Sequence, residues 1–192
     1  MTFFFIKDFK HKDRFFSSEP ENDVAVKISR PEEIWRKAQK KLLLLPPRIL
    51  RQEQAFMNVL QNKEERVIVH CSGLLSQKRI KLRFSFFLHR QRSKHILLLL
   101  GEVLLLPLSG LAAFLPGPNV AFAVLALLMI THWRALRGIN RLALKKTEFV
   151  PVPSLTEWEK AVGRGAESRC SEILQKLETE FRLSGLSKIL WR

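Results

Sequence analysis

Residues 96–131 read ILLLLGEVLLLPLSGLAAFLPGPNVAFAVLALLMIT, and this stretch decides the fold expected of the chain. Apart from Glu102, a few small residues and Pro116-Gly117-Pro118-Asn119, it is hydrocarbon throughout. A water-facing domain has little use for an apolar slab of this length, whereas a bilayer core demands one. The first arm, Ile96 to Leu115, has about 20 residues and as a helix reaches roughly 30 Å, the thickness of a hydrocarbon core. The second arm, Val120 to Thr131, is shorter and needs Asn119, His132 and Trp133 to approach the same reach. The expectation is a mainly α membrane protein: a helical transmembrane hairpin, with a small α+β N-terminal region and a helical C-terminal tail.

The charges flanking the slab agree with that reading. Lys78, Arg79, Lys81, Arg83, Arg90, Arg92 and Lys94 precede it without an intervening acid. Arg134, Arg137 and Arg141 follow it, then Lys145 and Lys146. Positive flanks stay on the cytoplasmic or matrix side, so a multi-pass protein with both termini on that side is expected. The formal net charge of +15 would also suit a nucleic-acid binder, but no zinc-finger spacing, helix-turn-helix pattern or RNA-reading aromatic motif accompanies it. A lipid-facing basic belt accounts for the charge instead, each cation near an anionic surface contributing about 1 kcal/mol. The expected partners are the lipid bilayer and either further copies of the chain or another membrane protein, because one hairpin cannot enclose an ion path. No nucleic acid is expected.

Cys71 and Cys170 lie far apart and suggest no disulfide framework. The N-terminal Thr2-Phe3-Phe4-Phe5-Ile6 lacks the basic region of a secretory signal, and Asp8, Asp13, Glu19, Glu21 and Asp23 argue against a transit peptide. A bacterial inner membrane is the simplest location, with the mitochondrial inner membrane as the alternative.

Three regions follow: 1–95, an α+β N-terminal region; 96–146, the hairpin with its basic exit; and 147–192, a helical tail. Thr2–Ile6, Val24–Ile28 and Glu65–Cys71 read as strands because they are rich in Phe, Val or Ile. Pro31 opens a helix that Pro46-Pro47 ends, and a second helix spans about Arg48 to Leu60. Leu74 to Arg92 reads as a basic helix entering the bilayer. Pro151-Val152-Pro153 reads as a linker. Ser154-Leu155-Thr156-Glu157 has the form of a capping box, and Cys170, Ile173, Leu174, Leu177 and Phe181 mark the apolar stripe of the last helix.

The chemical inventory is thin, and no enzyme is expected. There is no Gly-x-Ser-x-Gly, no phosphate-binding glycine loop and no His-Glu-x-x-His. His11, His70, His89, His95 and His132 are scattered, and His70-Cys71 has no partners at ligand spacing, so neither a metal nor a cofactor is expected. Glu102 is the exception, since a carboxylate within a bilayer span costs about 2.5–3.5 kcal/mol at its centre. It reads either as a proton or ion coupling group or as a side chain that snorkels to the interface and pairs with Lys94 or Arg134. Pro107 should kink the first arm, Trp133 reads as an interfacial anchor, and His132 belongs at headgroup level.

Leu115-Pro116-Gly117-Pro118-Asn119-Val120, with Phe122 and then His132-Trp133-Arg134-Ala135-Leu136-Arg137-Gly138, resembles the mitochondrial potassium–proton exchange-related proteins. The family has a Pro-Asn turn followed by a helix ending in a His-x-x-Ala-x-x-Gly pattern, here His132, Ala135 and Gly138. The resemblance implies an inner-membrane protein of potassium/proton exchange, as transporter component or accessory subunit. Ala123-Val124 and Leu127-Leu128 stand where the family's second helix usually carries aromatic and cationic residues. That departure leaves open a membrane-anchored scaffold without transport, and the short second arm leaves open a re-entrant hairpin.

Overall fold

The computed structural model describes residues 2–18, 47–62, 64–111, 120–181, 183 and 185–191. The strand expected at Val24–Ile28, the helix opening at Pro31 and the turn Pro116-Gly117-Pro118-Asn119 lie outside the described residues.

The first strand, β1 (Thr2–Lys7), is nearly all Phe and Ile and is buried on both faces. That is the pattern of a strand covered on two sides rather than one. It turns at Asp8, whose carboxylate accepts the backbone N–H groups of Lys10 and Lys12 at 2.9 Å each and the Nε–H of Arg14 at 2.8 Å. His11 takes the left-handed conformation this tight turn needs, at φ 57°. The chain returns as β2 (Asp13–Ser17), antiparallel to β1, with Phe15 stacked on Phe3 and Phe16 on Phe4.

Helix α1 (Pro47–Gln61) then leads to β3 (Arg66–Cys71), which pairs parallel with β1. Helices α2 (Gln77–Leu111) and α3 (Val120–Leu144) make a long excursion, and β4 (Lys146–Pro151) returns to pair parallel with β3. The sheet order is β2-β1-β3-β4. Helices α4 (Pro153–Arg164), α5 (Glu167–Glu180) and the short α6 (Ser187–Leu190) complete the chain.

Alternation along the strands builds two cores. Phe3, Phe5, Phe15, Val67, Val69 and Phe149 point to one face and meet Ala55, Phe56 and Val59 of α1, Ile80, Phe84 and Phe87 of α2, and Ile139 and Leu142 of α3. Phe4, Ile6 and Phe16 point to the other and meet Leu155, Trp158 and Val162 of α4, Cys170, Ile173, Leu174 and Leu177 of α5, and Ile189 and Leu190 of α6. The result is three layers, helices on both sides of a mixed sheet. Trp158, fully buried, donates its Nε1–H to the carbonyl of Lys7 at 2.8 Å and so fixes α4 to the end of β1.

The expected transmembrane hairpin is not the architecture. This is an α+β protein with a four-stranded sheet and, among the described residues, six helices. Among the described residues only one helix, Phe122–Leu144, is long and apolar enough to cross a membrane, and 44% of its apolar window is buried inside the protein. The physical reason lies in what the arms pack against. The basic helix and the first apolar arm are one continuous helix, α2, whose N-terminal half inserts Ile80, Phe84 and Phe87 into the sheet core. The second arm runs on as α3, and its C-terminal half gives Ile139 and Leu142 to the same core. Counting hydrophobic residues could not show that the helices carrying both arms are anchored at their other ends in the sheet core.

Smaller corrections follow the same lesson. Pro151-Val152-Pro153 is no linker: it ends β4, buries Val152 and starts α4 with proline in the first turn. The capping box does not form, because Val152 holds the N-cap position without a side-chain bond and Ser154 lies inside the helix. Gly165 ends α4 at φ 67°, the left-handed conformation that suits glycine there.

Candidate functional site

Polar groups gather where α1, α2 and α3 meet. Along α2 the inward-facing positions begin apolar, with Ile80, Phe84, Phe87 and Leu88, and then turn polar. His95 and Glu102 follow Leu88 at intervals of seven, which keeps them on one side of the helix. Helix α3 brings Thr131 and His132 to them, and α1 contributes Glu53. Glu53, His95, Glu102 and His132 are all buried.

The close approach of α1 to α3 depends on Gly138. A Cβ at that position would overlap the carbonyl oxygen of Phe56, so only glycine lets the two backbones meet there. Ala135, fully buried one turn earlier, is the next smallest choice.

The contacts form a chain. His95 Nδ1 lies 3.1 Å from His132 Nδ1, so one ring nitrogen donates and the other accepts. His132 Nε2 lies 3.3 Å from Glu102 Oε1. Glu53 joins from α1: one ligand-capable atom from each of Glu53, His95 and His132 lies within 4.8 Å of the other two. Oε2 of Glu53 and Oε2 of Glu102 are buried with no hydrogen-bond donor.

Burial dominates the electrostatics. It pushes the Glu53 carboxyl up to about 7, with Lys94 opposing and Glu102 reinforcing the shift. It likewise pushes Glu102 up to about 7. His95 is held down to about 4 by burial, then by His132 and Lys94, and His132 is lowered by burial and by Lys94. Both shifts favour the uncharged imidazole, which keeps one lone-pair nitrogen on each ring available to a hydrogen-bond donor or a metal ion.

The sequence residues fall into separate places. Glu102 and His132 meet in this cluster, Ala135 and Gly138 form the α1–α3 crossing, and Trp133 is exposed on α3. His132 is thus an interior residue rather than one at headgroup level. Pro107 sits within α2, which runs through it to Leu111. Pro116, Gly117, Pro118 and Asn119 are outside the described residues.

Within the expected basic belt, Lys78, Arg79, Lys81, Arg90, Arg92, Lys94, Arg137 and Arg141 are exposed. Arg83 is not lipid-facing. Its Nε–H donates to Asp13 Oδ1 at 2.8 Å, its Nη2 also bonds Asp13 and reaches Glu159 at 3.3 Å, and its guanidinium lies over the Phe5 ring. Burial works against the charge, but the bonds and fields of Asp13 and Glu159 outweigh it and hold the guanidinium above its ordinary pKa. Arg141 donates to the Leu60 carbonyl at 3.0 Å, tying α3 to the end of α1.

Glu53 was not picked out in the sequence, and His95 figured there only among the scattered histidines. A signal was present: His95 and Glu102 interrupt the inward stripe of α2, and Gln52 and Glu53 precede the apolar run of α1. Neither is conspicuous until the two helices are placed beside α3.

The fold and cluster define a three-layer protein with a histidine–carboxylate centre inside one helical layer. A sequence model of the mitochondrial K+-H+ exchange-related family matches residues 10–144, and the chain belongs to that family. The matched region contains Glu53, His95, Glu102 and His132. No curated protein and no solved structure matches the chain.

Proposed function

We propose that the protein is a non-enzymatic accessory component of potassium/proton exchange at the mitochondrial inner membrane, resting on an anionic lipid surface through the leucine-rich end of α2. The observation that carries this reading is the exposure of that end. Leu97 is 69% and Leu104 72% exposed, and Leu98, Leu100, Val103 and Leu105 are open as well. These residues spread around the helix except on the side of Glu102, which faces α3, and an apolar surface of that extent is ordinarily covered. Each leucine fully covered is worth about 1.5–3 kcal/mol.

Charge supports the same partner. Lys78, Arg79, Lys81, Arg90, Arg92 and Lys94 are exposed on the same helix, and each contributes about 1 kcal/mol beside anionic lipid. An open groove of about 660 Å³ adds a headgroup-sized recess, with Lys81, His89, Arg92 and Lys146 around Phe84 and Phe149. Family membership supplies the link to potassium/proton exchange. An accessory role fits better than transport, because an ion path needs enclosure and the apolar end of α2 is open on most sides.

The test is co-sedimentation of the full chain with phosphatidylcholine vesicles, with and without cardiolipin. Binding is expected only with cardiolipin and is expected to be lost in a Leu97→Glu/Leu104→Glu variant whose circular dichroism is unchanged. Binding that survives both changes would remove the lipid reading. Proteoliposomes of the purified chain alone should show no potassium-driven proton movement. Exchange that disappears in Glu102→Gln would instead make the protein the transporter.

A further inference from the structure

We propose that Glu53, His95 and His132 form a zinc site that clamps α1, α2 and α3 together, with Glu102 holding His132 in position. The proposal does not depend on lipid binding or on a role in exchange.

The geometry carries it. Zinc bonds imidazole nitrogen at about 2.0–2.1 Å, which places two tetrahedral ligand nitrogens about 3.3 Å apart. The two Nδ1 atoms are 3.1 Å apart, on side chains from different helices. The Glu53 carboxylate lies within the same 4.8 Å cluster. Two imidazoles and one carboxylate make the ligand set of a three-residue zinc centre, whose fourth position takes water.

The surroundings match as well. A ligating histidine usually donates its other ring N–H to a carboxylate, which fixes its orientation and raises its basicity. His132 Nε2 stands 3.3 Å from Glu102 Oε1, so with Nδ1 turned to the metal, Nε2–H has its acceptor. A hydrogen bond between the two rings would satisfy His95 and His132 but not the acids. Oε2 of Glu53 and Oε2 of Glu102 are buried without donors, and so are Oε1 of the adjoining Gln52 and of Gln91, one turn before His95. Buried acceptors without donors are costly. A divalent cation answers the Glu53 part of that excess directly, and the two carboxylates balance its charge within the helical layer.

A transition metal is favoured over calcium or magnesium because imidazole is a poor ligand for those hard ions and two of the three ligands here are imidazoles. Zinc is favoured among the rest because it accepts a four-coordinate site without a redox partner.

The experiment is a competition titration of chelator-treated full chain with Zn2+ against a chromophoric chelator, with circular dichroism of each metal-free variant confirming the fold. One zinc per chain is expected. His95→Ala and His132→Ala should each remove stoichiometric binding. Glu53→Gln should weaken it at least 100-fold. Glu102→Gln should keep the stoichiometry while weakening affinity 10–100-fold, as loss of an orienting carboxylate does. His11→Asn, at an exposed histidine in the β1–β2 turn, should change nothing. Co2+ in place of zinc should give the visible bands of a four-coordinate centre, which separates the site from surface histidine binding even where a variant fails to fold. Folded wild type that binds no zinc, or binding unaltered by His132→Ala, overturns the proposal.

Discussion

Leu177 and Leu104 are the same residue in opposite circumstances. Leu177 lies fully buried beneath the sheet, while Leu104 is 72% exposed on the projecting end of α2. The body around the sheet is covered twice over: β1 has aromatic side chains on both faces, each with its own helical layer. Beyond His95, α2 is as apolar as β1 but is largely exposed, and its Glu102 faces α3. Apolar composition therefore marks what must be covered, not what covers it. In the body the cover is the chain itself; at the end of α2 most of the apolar surface stays open.

The largest expected effect on this contrast is Trp158→Ala, which empties the centre of the α4–α6 layer and removes the bond to Lys7. It should cost about 3–5 kcal/mol in chemical denaturation. Leu177→Ala should follow at about 3 kcal/mol. Gly138→Ala should cost about 1–3 kcal/mol, because its Cβ meets the Phe56 carbonyl rather than a movable side chain. It should also weaken zinc binding, since α1 carries Glu53 and α3 carries His132. Smallest is Leu104→Ala, expected within about 0.5 kcal/mol of wild type in the same experiment. If Leu104→Ala were as damaging as Leu177→Ala, the end of α2 would be part of the body and the comparison would collapse.

Much of the body was legible in the sequence. The Phe-rich β1, the Val-Ile-Val of β3, helix α1 and the stripe of α5 all follow from local pattern. Strands β2 and β4 did not stand out. β2 is only five residues long, and its Phe15-Phe16 pair acquires meaning by stacking on Phe3 and Phe4. β4, with Lys146, Glu148 and Pro151, sits at the sheet edge, where polar residues and proline are tolerated. The hairpin reading failed because α2 and α3 each change surroundings along their length, whereas a hydropathy window assigns one environment to a whole segment. The cluster was half legible: Glu102 was conspicuous by its apolar neighbours and His132 by its motif. Their meeting depends on helix packing that no local pattern encodes.

The bond from Trp158 to the carbonyl of Lys7 joins residues 151 positions apart, and this bears on the order in which the protein can come into being. The Phe-rich β1 is synthesised well before the helices that follow β4. One of its two coverings comes only from Val152 onward. Until the C-terminal helices arrive, Phe4 and Ile6 have only β2 beside them, with Phe16 stacked on Phe4, and parallel pairing with β3 must also wait for distant chain. A Phe-rich strand waiting in the open is prone to pair with the wrong neighbour. The nascent chain is therefore expected to need a holding chaperone over β1 until α4, α5 and α6 have been delivered.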